Sequence, residues 1–267
     1  MPLAVCATPI GNLDDVTLRV LEELRSAELV LCEDTRHTRV LLDRHGITGA
    51  RLLSYHEHNE AKRTAEVLPR LEAGERVALV SDAGMPGISD PGARLVEGAL
   101  ERGAPVTVLP GPTAVDTALV ASGLPAERYQ FVGFLPRGAG ALASLWTELA
   151  GWPHPVVAFE SPQRLPATLR SLAEAQPERR VAVCRELTKR FEEVVRGTAA
   201  EVASLFEQPP KGEITLVLGP GTKAQENEGA LEAVAELVAA GLQRRRAADV
   251  VSRLTGISRN ELYRRTL

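Results

Sequence analysis

Through the first 218 residues, short apolar runs alternate with amphipathic stretches, and this pattern constrains the fold more than any other feature. Leu3–Ala7, Glu28–Cys32, Val77–Ser81, Pro105–Leu109, Pro155–Phe159, Arg180–Cys184 and Ile214–Leu218 read as strands. Several are apolar on successive residues, as strands covered on both faces must be. Helical patterns lie between them. Val16, Val20, Leu21 and Leu24 share one face of the first, with Asp14 or Asp15 placed to cap it. Further helices are expected over Thr35–Leu42, Glu60–Glu72, Pro91–Glu101, Thr113–Ser122, Ala141–Leu149, Leu165–Ala175 and Thr198–Glu207. Strand and helix in strict turn give an α/β protein with mainly parallel sheets.

The alternation restarts after Gly123–Arg128, which places a boundary there. A second α/β region then runs to Gly219, and Gly219–Asn227 reads as a linker. The expected division is 1–122, 123–219 and 228–267. In the last part Ala248, Val251 and Leu254 line one helix, Gly256 permits a sharp turn and Ser258 can cap a second helix. Two short helices meeting at a glycine resemble a helix-turn-helix; a small helical add-on packing on the body or on a sister subunit is the alternative.

Charge sharpens the picture of this tail. From Gln243 onward seven arginines face only Asp249 and Glu261, a local balance of +5 in a chain whose net charge is −4. A basic tail on an acidic body suits an anionic partner, although a merely solvated helix surface gives the same pattern. The segment Met1–Cys6 carries no basic leader, and no apolar run approaches the ~18–20 residues that span a bilayer. No membrane association is expected. Cys6, Cys32 and Cys184 are far apart and sit in apolar segments, which favours buried, reduced thiols in a cytoplasmic protein over a disulfide or metal site.

Ligands in open α/β sheets sit beyond the carboxyl ends of the strands. Three such ends are rich in Gly and Pro: Ala7–Asn12, Ser81–Gly92 and Pro110–Ala114. Stiff turns of this kind let a ligand approach the backbone closely. Thr113 and Ala114 open a helix, so free N–H groups point outward there. Asp82, at the tip of a buried strand, can accept hydrogen bonds from a ligand hydroxyl or ammonium. The patterns G-x-G-x-x-G, G-x-x-x-x-G-K-[ST] and G-x-S-x-G are all absent from these strand ends, which argues against a dinucleotide enzyme, a P-loop nucleotidase and a serine hydrolase.

Read together, Thr8-Pro9-Ile10-Gly11-Asn12-Leu13, Cys32-Glu33-Asp34-Thr35-Arg36, Ser81-Asp82-Ala83-Gly84-Met85-Pro86 and Pro110-Gly111-Pro112-Thr113-Ala114 resemble the tetrapyrrole methylase superfamily. Within it the resemblance is to the bacterial methyltransferases of small-subunit ribosomal RNA. Tyr55–Glu60, Phe159–Arg164, Arg185–Lys189 and Lys211–Ile214 extend the match in the same order. The resemblance implies two α/β domains of the tetrapyrrole methylase type with a small C-terminal helical extension, S-adenosyl-L-methionine in the cleft between the domains, and a homodimer. It implies methyl transfer to the 2′-oxygen of a cytidine in the decoding region, on rRNA or on the assembled small ribosomal subunit. The implied cofactor contacts are Ile10, Asp82, Met85, Thr113 and Ala114, with Phe159, Glu213, Ile214 and Thr215 from the second domain. The first loop lacks the Gly-rich form of tetrapyrrole-modifying relatives, which weakens a corrin reading, and Cys32-Glu33-Asp34-Thr35-Arg36 together with the basic tail argues against a corrin-type precursor or a protein side chain as the alternative substrate.

A ribose hydroxyl is a weak acid, so a positioned base helps as the new carbon–oxygen bond forms. Glu33 and Asp34, at a strand end, are the candidates, and Arg36 could hold an RNA phosphate or orient them; a helix cap with a surface ion pair is the competing explanation. Glu160, Arg164, Arg185, Glu186 and Lys189 are candidates for the opposite wall of the acceptor site, the basic ones anchoring phosphates, with salt bridges at a domain interface as the alternative. His56 and His58 lack a convincing third ligand, and no metal is expected. A non-enzymatic nucleic-acid-binding regulator would explain the tail but not the three loops.

Overall fold

The computed structural model describes residues 2–266, with only the backbone described over 222–227. The chain forms two compact units: residues up to Ala121 together with Cys184–Glu193, and Ser122–Val183 together with the residues from Val194 onward.

In the first unit β1 (Leu3–Cys6) leads through a 3-10 turn at Leu13–Asp15 to α1 (Leu18–Ser26), followed by β2 (Leu29–Cys32), α2 (Thr35–Arg44), β3 (Leu52–Ser54), α3 (Glu60–Glu72), β4 (Val77–Val80), α4 (Ala93–Glu101), β5 (Val106–Leu109) and α5 (Ala114–Ser122). The sheet has the order β3-β2-β4-β1-β5, and β1–β4, β1–β5, β2–β3 and β2–β4 all pair in parallel. Strand side chains alternate between faces, so one set packs beneath α1 and α2 and the other beneath α3 and α4. Ala4, Cys6, Val30, Cys32 and Ala78 meet Val20, Leu24, Leu41 and Leu42 on the first face. On the second, Leu3, Val5, Leu29, Leu31 and Leu79 meet Val67, Leu68, Leu71 and Leu95. This two-sided burial is why the strands read as unbroken apolar runs. Thr17, rather than Asp14 or Asp15, caps α1, its hydroxyl accepting from the Val20 N–H at 3.2 Å. The two aspartates are taken up in the preceding turn, where Asp14 pairs with Arg44 at 2.8 Å.

The second sheet contains β6 (Gln130–Phe134), β7 (Val156–Glu160), β8 (Arg180–Arg185), β9 (Glu193–Thr198) and β10 (Ile214–Leu218), in the order β6-β7-β10-β8-β9. It is mixed: β6 and β7 run parallel, β7 and β10 antiparallel. Parallel pairing is therefore complete only in the first sheet. The helices α6 (Ala139–Leu149), α7 (Leu165–Ala175) and α8 (Ala199–Leu205) contribute Trp146, Leu169 and Val202 to a core with Val156, Val183 and Leu216.

The stretch expected as a linker is mostly helix, since α9 runs Thr222–Ala239. Its composition, rich in Ala and Glu, is that of a good helix former. α10 (Arg244–Thr255) and α11 (Arg259–Arg265) follow, and Val234, Ala248, Val251 and Leu262 form a small core with α9. Gly256 ends α10 in the left-handed conformation; Ser258 occupies the cap position of α11 without a capping bond from its side chain. Among the described residues no helix is long and apolar enough to cross a membrane.

Candidate active site

Strand order locates the crevice of the first unit. β2 feeds β3 on one side of the sheet and β4 feeds β5 on the other. The outgoing connections therefore diverge between the carboxyl ends of β2 and β4, which is where open sheets hold ligands. The Asp34 N–H spans this gap, donating to Asp82 Oδ1 at 3.0 Å, and His37 Nδ1 lies 4.0 Å from Asp82 Oδ2. The Asp82 side chain is about one-third exposed, at 32%.

Neighbouring loops are tied to one another. Thr8 and Gly84 exchange backbone hydrogen bonds at 2.9 and 3.0 Å, and the Thr8 and Ser81 hydroxyls each donate to a carbonyl of the β4 loop at 3.0 Å. Gly84 holds φ at +82°, a conformation that only glycine adopts without strain. Its missing side chain would point toward Ile10 and the Pro112 carbonyl. Ile10 is buried, and Met85 is partly buried against the core beneath α3 and α4. Thr113 caps α5, its hydroxyl accepting from the Asp116 N–H at 3.1 Å, and Ala114 is the first helical residue. Ile10, Asp82, Met85, Thr113 and Ala114 thus sit on the connected strand-end loops of one sheet.

The two acids after β2 have different surroundings. Asp34 is the N-cap of α2, accepting from the Arg36 N–H at 2.8 Å, and its carboxylate forms a two-pronged ion pair with the Arg36 guanidinium at 3.1 and 2.6 Å. These bonds hold the Asp34 carboxyl well below the usual carboxylate range. A group so stabilised as an anion is a weak base. Glu33 lines a cavity of about 760 Å³ together with Glu57, Glu60, Asp90, Arg94 and Glu97. Burial, followed by the Asp82 charge, raises its pKa, partly offset by His56. Burial and the Glu33 and Asp82 charges push Asp90 up to about 7.

Arg185, Glu186 and Lys189 belong to the segment that joins the first unit. Arg185 Nε donates to Glu193 at 2.9 Å and Lys189 Nζ to Glu186 at 2.9 Å. Glu186 and Thr188 hold positive φ, +53° and +63°, which is uncommon for residues with side chains. Thr188 Oγ1 accepts from the Asn12 N–H at 2.9 Å. A Cβ on Gly11 would lie 2.5 Å from Lys189 Cγ and 2.7 Å from the Leu187 carbonyl, so the β1 loop fits the segment only with glycine there.

In the second unit Glu160 is buried at the end of β7. It accepts from the Ser161 N–H and the Thr168 hydroxyl, both at 2.6 Å, and pairs with Arg164. Arg164 also donates to the Leu135 and Pro136 carbonyls at 3.1 Å. These bonds tie the end of β6 to α7. Phe159 meets Phe131 and Phe134 edge-on and stands opposite Thr215 in the β7–β10 ladder, with Ile214 opposite Glu160. Ile214 and Thr215 are buried, and Glu213, just before β10, is exposed.

Asp90 and the Asn12–Thr188 contact were not singled out from sequence. Asp90 carried a signal, as the second acid of the Ser81–Gly92 loop. The other contact joins residues 176 positions apart and had none. Among the described residues no group of three or more His, Cys, Asp or Glu is arranged to hold a metal ion. His56 and His58 meet edge-on at 6.0 Å, and His56 Nε2 is bonded to Asn59 at 3.0 Å.

Residues 2–203 match the family described as Tetrapyrrole (Corrin/Porphyrin) Methylases, and residues 225–267 match that described as RsmI C-terminal HTH domain. The protein named ribosomal RNA small subunit methyltransferase I from Thermotoga maritima is 48% identical over 217 residues, covering 81% of this chain and 97% of that protein. The protein of the same name from Mesorhizobium japonicum is 43% identical over 268 residues, covering 99% of this chain and 91% of that protein. Among solved structures, the uroporphyrin-III C-methyltransferase of Thermus thermophilus in complex with S-adenosylhomocysteine superposes with a TM-score of 0.54 at 21% identity, over 81% of this chain and 96% of that one. That likeness is one of fold.

Proposed function

Because the chain belongs to the tetrapyrrole methylase family, we propose that it transfers a methyl group from S-adenosyl-L-methionine to the 2′-oxygen of a cytidine ribose in the decoding region of small-subunit rRNA. At the coarser level it is a methyltransferase of small-subunit ribosomal RNA, as its relatives at 43% and 48% identity are named. The observation that carries the reading is the β2–β4 crevice: a partly exposed aspartate, a half-buried glutamate of raised pKa, and Gly/Pro loops joined through their backbones.

These residues fit the cofactor. The Asp82 carboxylate suits its ammonium or ribose hydroxyls, and the open N–H groups at Thr113–Ala114 suit its carboxylate. Ile10 and Met85 offer apolar surface, and the reading assigns further contacts to Phe159 and Glu213–Thr215 on the resemblance. Bound there, the cofactor supplies an electrophilic methyl group. Glu33 takes the proton that the ribose hydroxyl releases, and burial suits it to that role by making its carboxylate more basic. Arg36, Arg185 and Lys189 serve the phosphates, while Glu186, Glu160 and Arg164 position the acceptor wall. The division 1–122, 123–219 and 228–267, a homodimer and a cytoplasmic setting belong to the same proposal.

The test is transfer of labelled methyl from the cofactor to small subunits lacking the modification, with the product nucleotide mapped. Label on one cytidine 2′-oxygen supports the reading. Label on tetrapyrroles or protein alone, with none on the subunit, overturns it.

A further inference from the structure

The reading above leaves unused a second concave site, lined by Arg245 at the start of α10 and by Arg259, Asn260 and Tyr263 on α11, with a volume of about 280 Å³. All four side chains are exposed, and Tyr263 presents 40% of its surface although Leu262 beside it is buried in the small helical core. Core packing therefore does not explain the tyrosine. Nor does charge pairing use up the arginines. Arg245 has no acidic partner among the described residues, and Arg259 meets Asp249 at a long 3.4 Å in an exposed pair of little strength.

The side-chain types indicate the ligand. An exposed aromatic ring offers a stacking face to any base, an amide offers donor and acceptor to a base edge, and two guanidiniums match phosphates. The local charge of +5 points the same way. Duplex RNA is an unsuitable occupant, since its major groove is too deep and narrow for side chains to read. The cavity is also below the usual range for a drug-sized ligand, about 300–1,000 Å³. Both limits favour one unpaired nucleotide over a helix lying in a groove.

We infer that this cavity holds a single unpaired RNA nucleotide, with its base stacked on Tyr263, its edge bonded to Asn260 and its phosphates held by Arg245 and Arg259. The site gives the tail a task apart from chemistry: gripping a single-stranded stretch of the substrate. It rests on the proposed function only in taking RNA as that substrate.

The test titrates the full-length protein with a fluorescent unpaired RNA oligonucleotide and with a blunt RNA duplex of equal length. The unpaired strand is expected to bind more tightly. Tyr263→Ala should weaken it by about tenfold, the effect of losing one stacked base, and Tyr263→Phe should restore most of the loss. Arg245→Ala should reduce the salt slope by about 0.7. Equal binding of strand and duplex, or Tyr263→Ala binding like wild type, overturns the inference. So does a change of oligomeric state in Tyr263→Ala with RNA affinity unchanged, which would make the face a contact between protomers. If methyl transfer to subunits fails while Tyr263-dependent binding persists, this inference stands and the proposed function falls.

Discussion

At the end of β2 and at the end of β7 the chain does the same thing: a glutamate closes a buried strand and an arginine follows within the next few residues. The outcomes differ. Glu160 is buried, with its oxygens occupied by Ser161, Thr168 and Arg164 of its own unit. Glu33 has no hydrogen-bond donor to its carboxylate among the described residues and faces a cavity of about 760 Å³. Donors lower a carboxylate's basicity, whereas burial without them raises it. The surroundings supplied by the fold, and not the residue or its place on a strand, make one acid a fastener and leave the other the more basic carboxylate that we propose as the general base. Asp34, beside Glu33, falls with Glu160, because Arg36 and the start of α2 occupy its oxygens.

The largest effect should come from Glu33→Gln. Loss of a general base costs about 10²–10⁴ in rate, so turnover should collapse while cofactor affinity stays near wild type. Asp34→Asn, by contrast, should remove part of a cap worth about 1 kcal/mol and change turnover only a few-fold. Equal losses of turnover in the two variants would break the comparison. Glu160→Ala should act on stability, since removing one partner of a buried pair strands the other. We expect a loss of about 3 kcal/mol, or about 6–12 °C in Tm by calorimetry. An unchanged Tm would mean that Glu160 is not the fastener described.

Much of this was legible in the sequence because burial on both faces writes itself as apolar runs: β1, β2, β4, β7 and β10 are plain in the residue order. Other strands were not. β3 is three residues long. β6 is interrupted near Gly133, whose φ is +67°, where its register with β7 shifts. β9 is an edge strand with Glu193 and Arg196 on it, lacking the apolar run of a covered strand. The Gly/Pro loops marked the proposed ligand site in the sequence, and Cys32–Arg36 marked the acids beside it. Which acid is free to act depends on contacts such as Asp34 with Asp82, 48 positions away, and no local pattern encodes these.

Two smaller effects sharpen the contrast. Gly11→Ala places a methyl within 2.7 Å of the Leu187 carbonyl and should cost about 1–3 kcal/mol, as overpacking does. Hydrogen exchange over residues 184–193 should rise, and unchanged protection there would show that the segment is not held by the β1 loop. Asp90 gives a pH signature. Its pKa of about 7 in the folded chain exceeds the ~3.9 of an unfolded aspartate, so between these values the native state keeps a proton that the unfolded chain releases. The contribution to stability is full below pH ~4 and is lost as pH rises through ~7. Asp90→Asn should therefore match wild type near pH 4 and gain on it steadily up to pH 8; parallel Tm curves would contradict the assignment.

Calorimetric titration of S-adenosylhomocysteine into three purified proteins reaches the central claim most directly. Wild type and Glu33→Gln should release heat with similar affinity, and Asp82→Ala should bind at least tenfold more weakly. No heat from wild type, or full affinity in Asp82→Ala, would show that the loops beside the β2–β4 crevice do not hold the methyl donor.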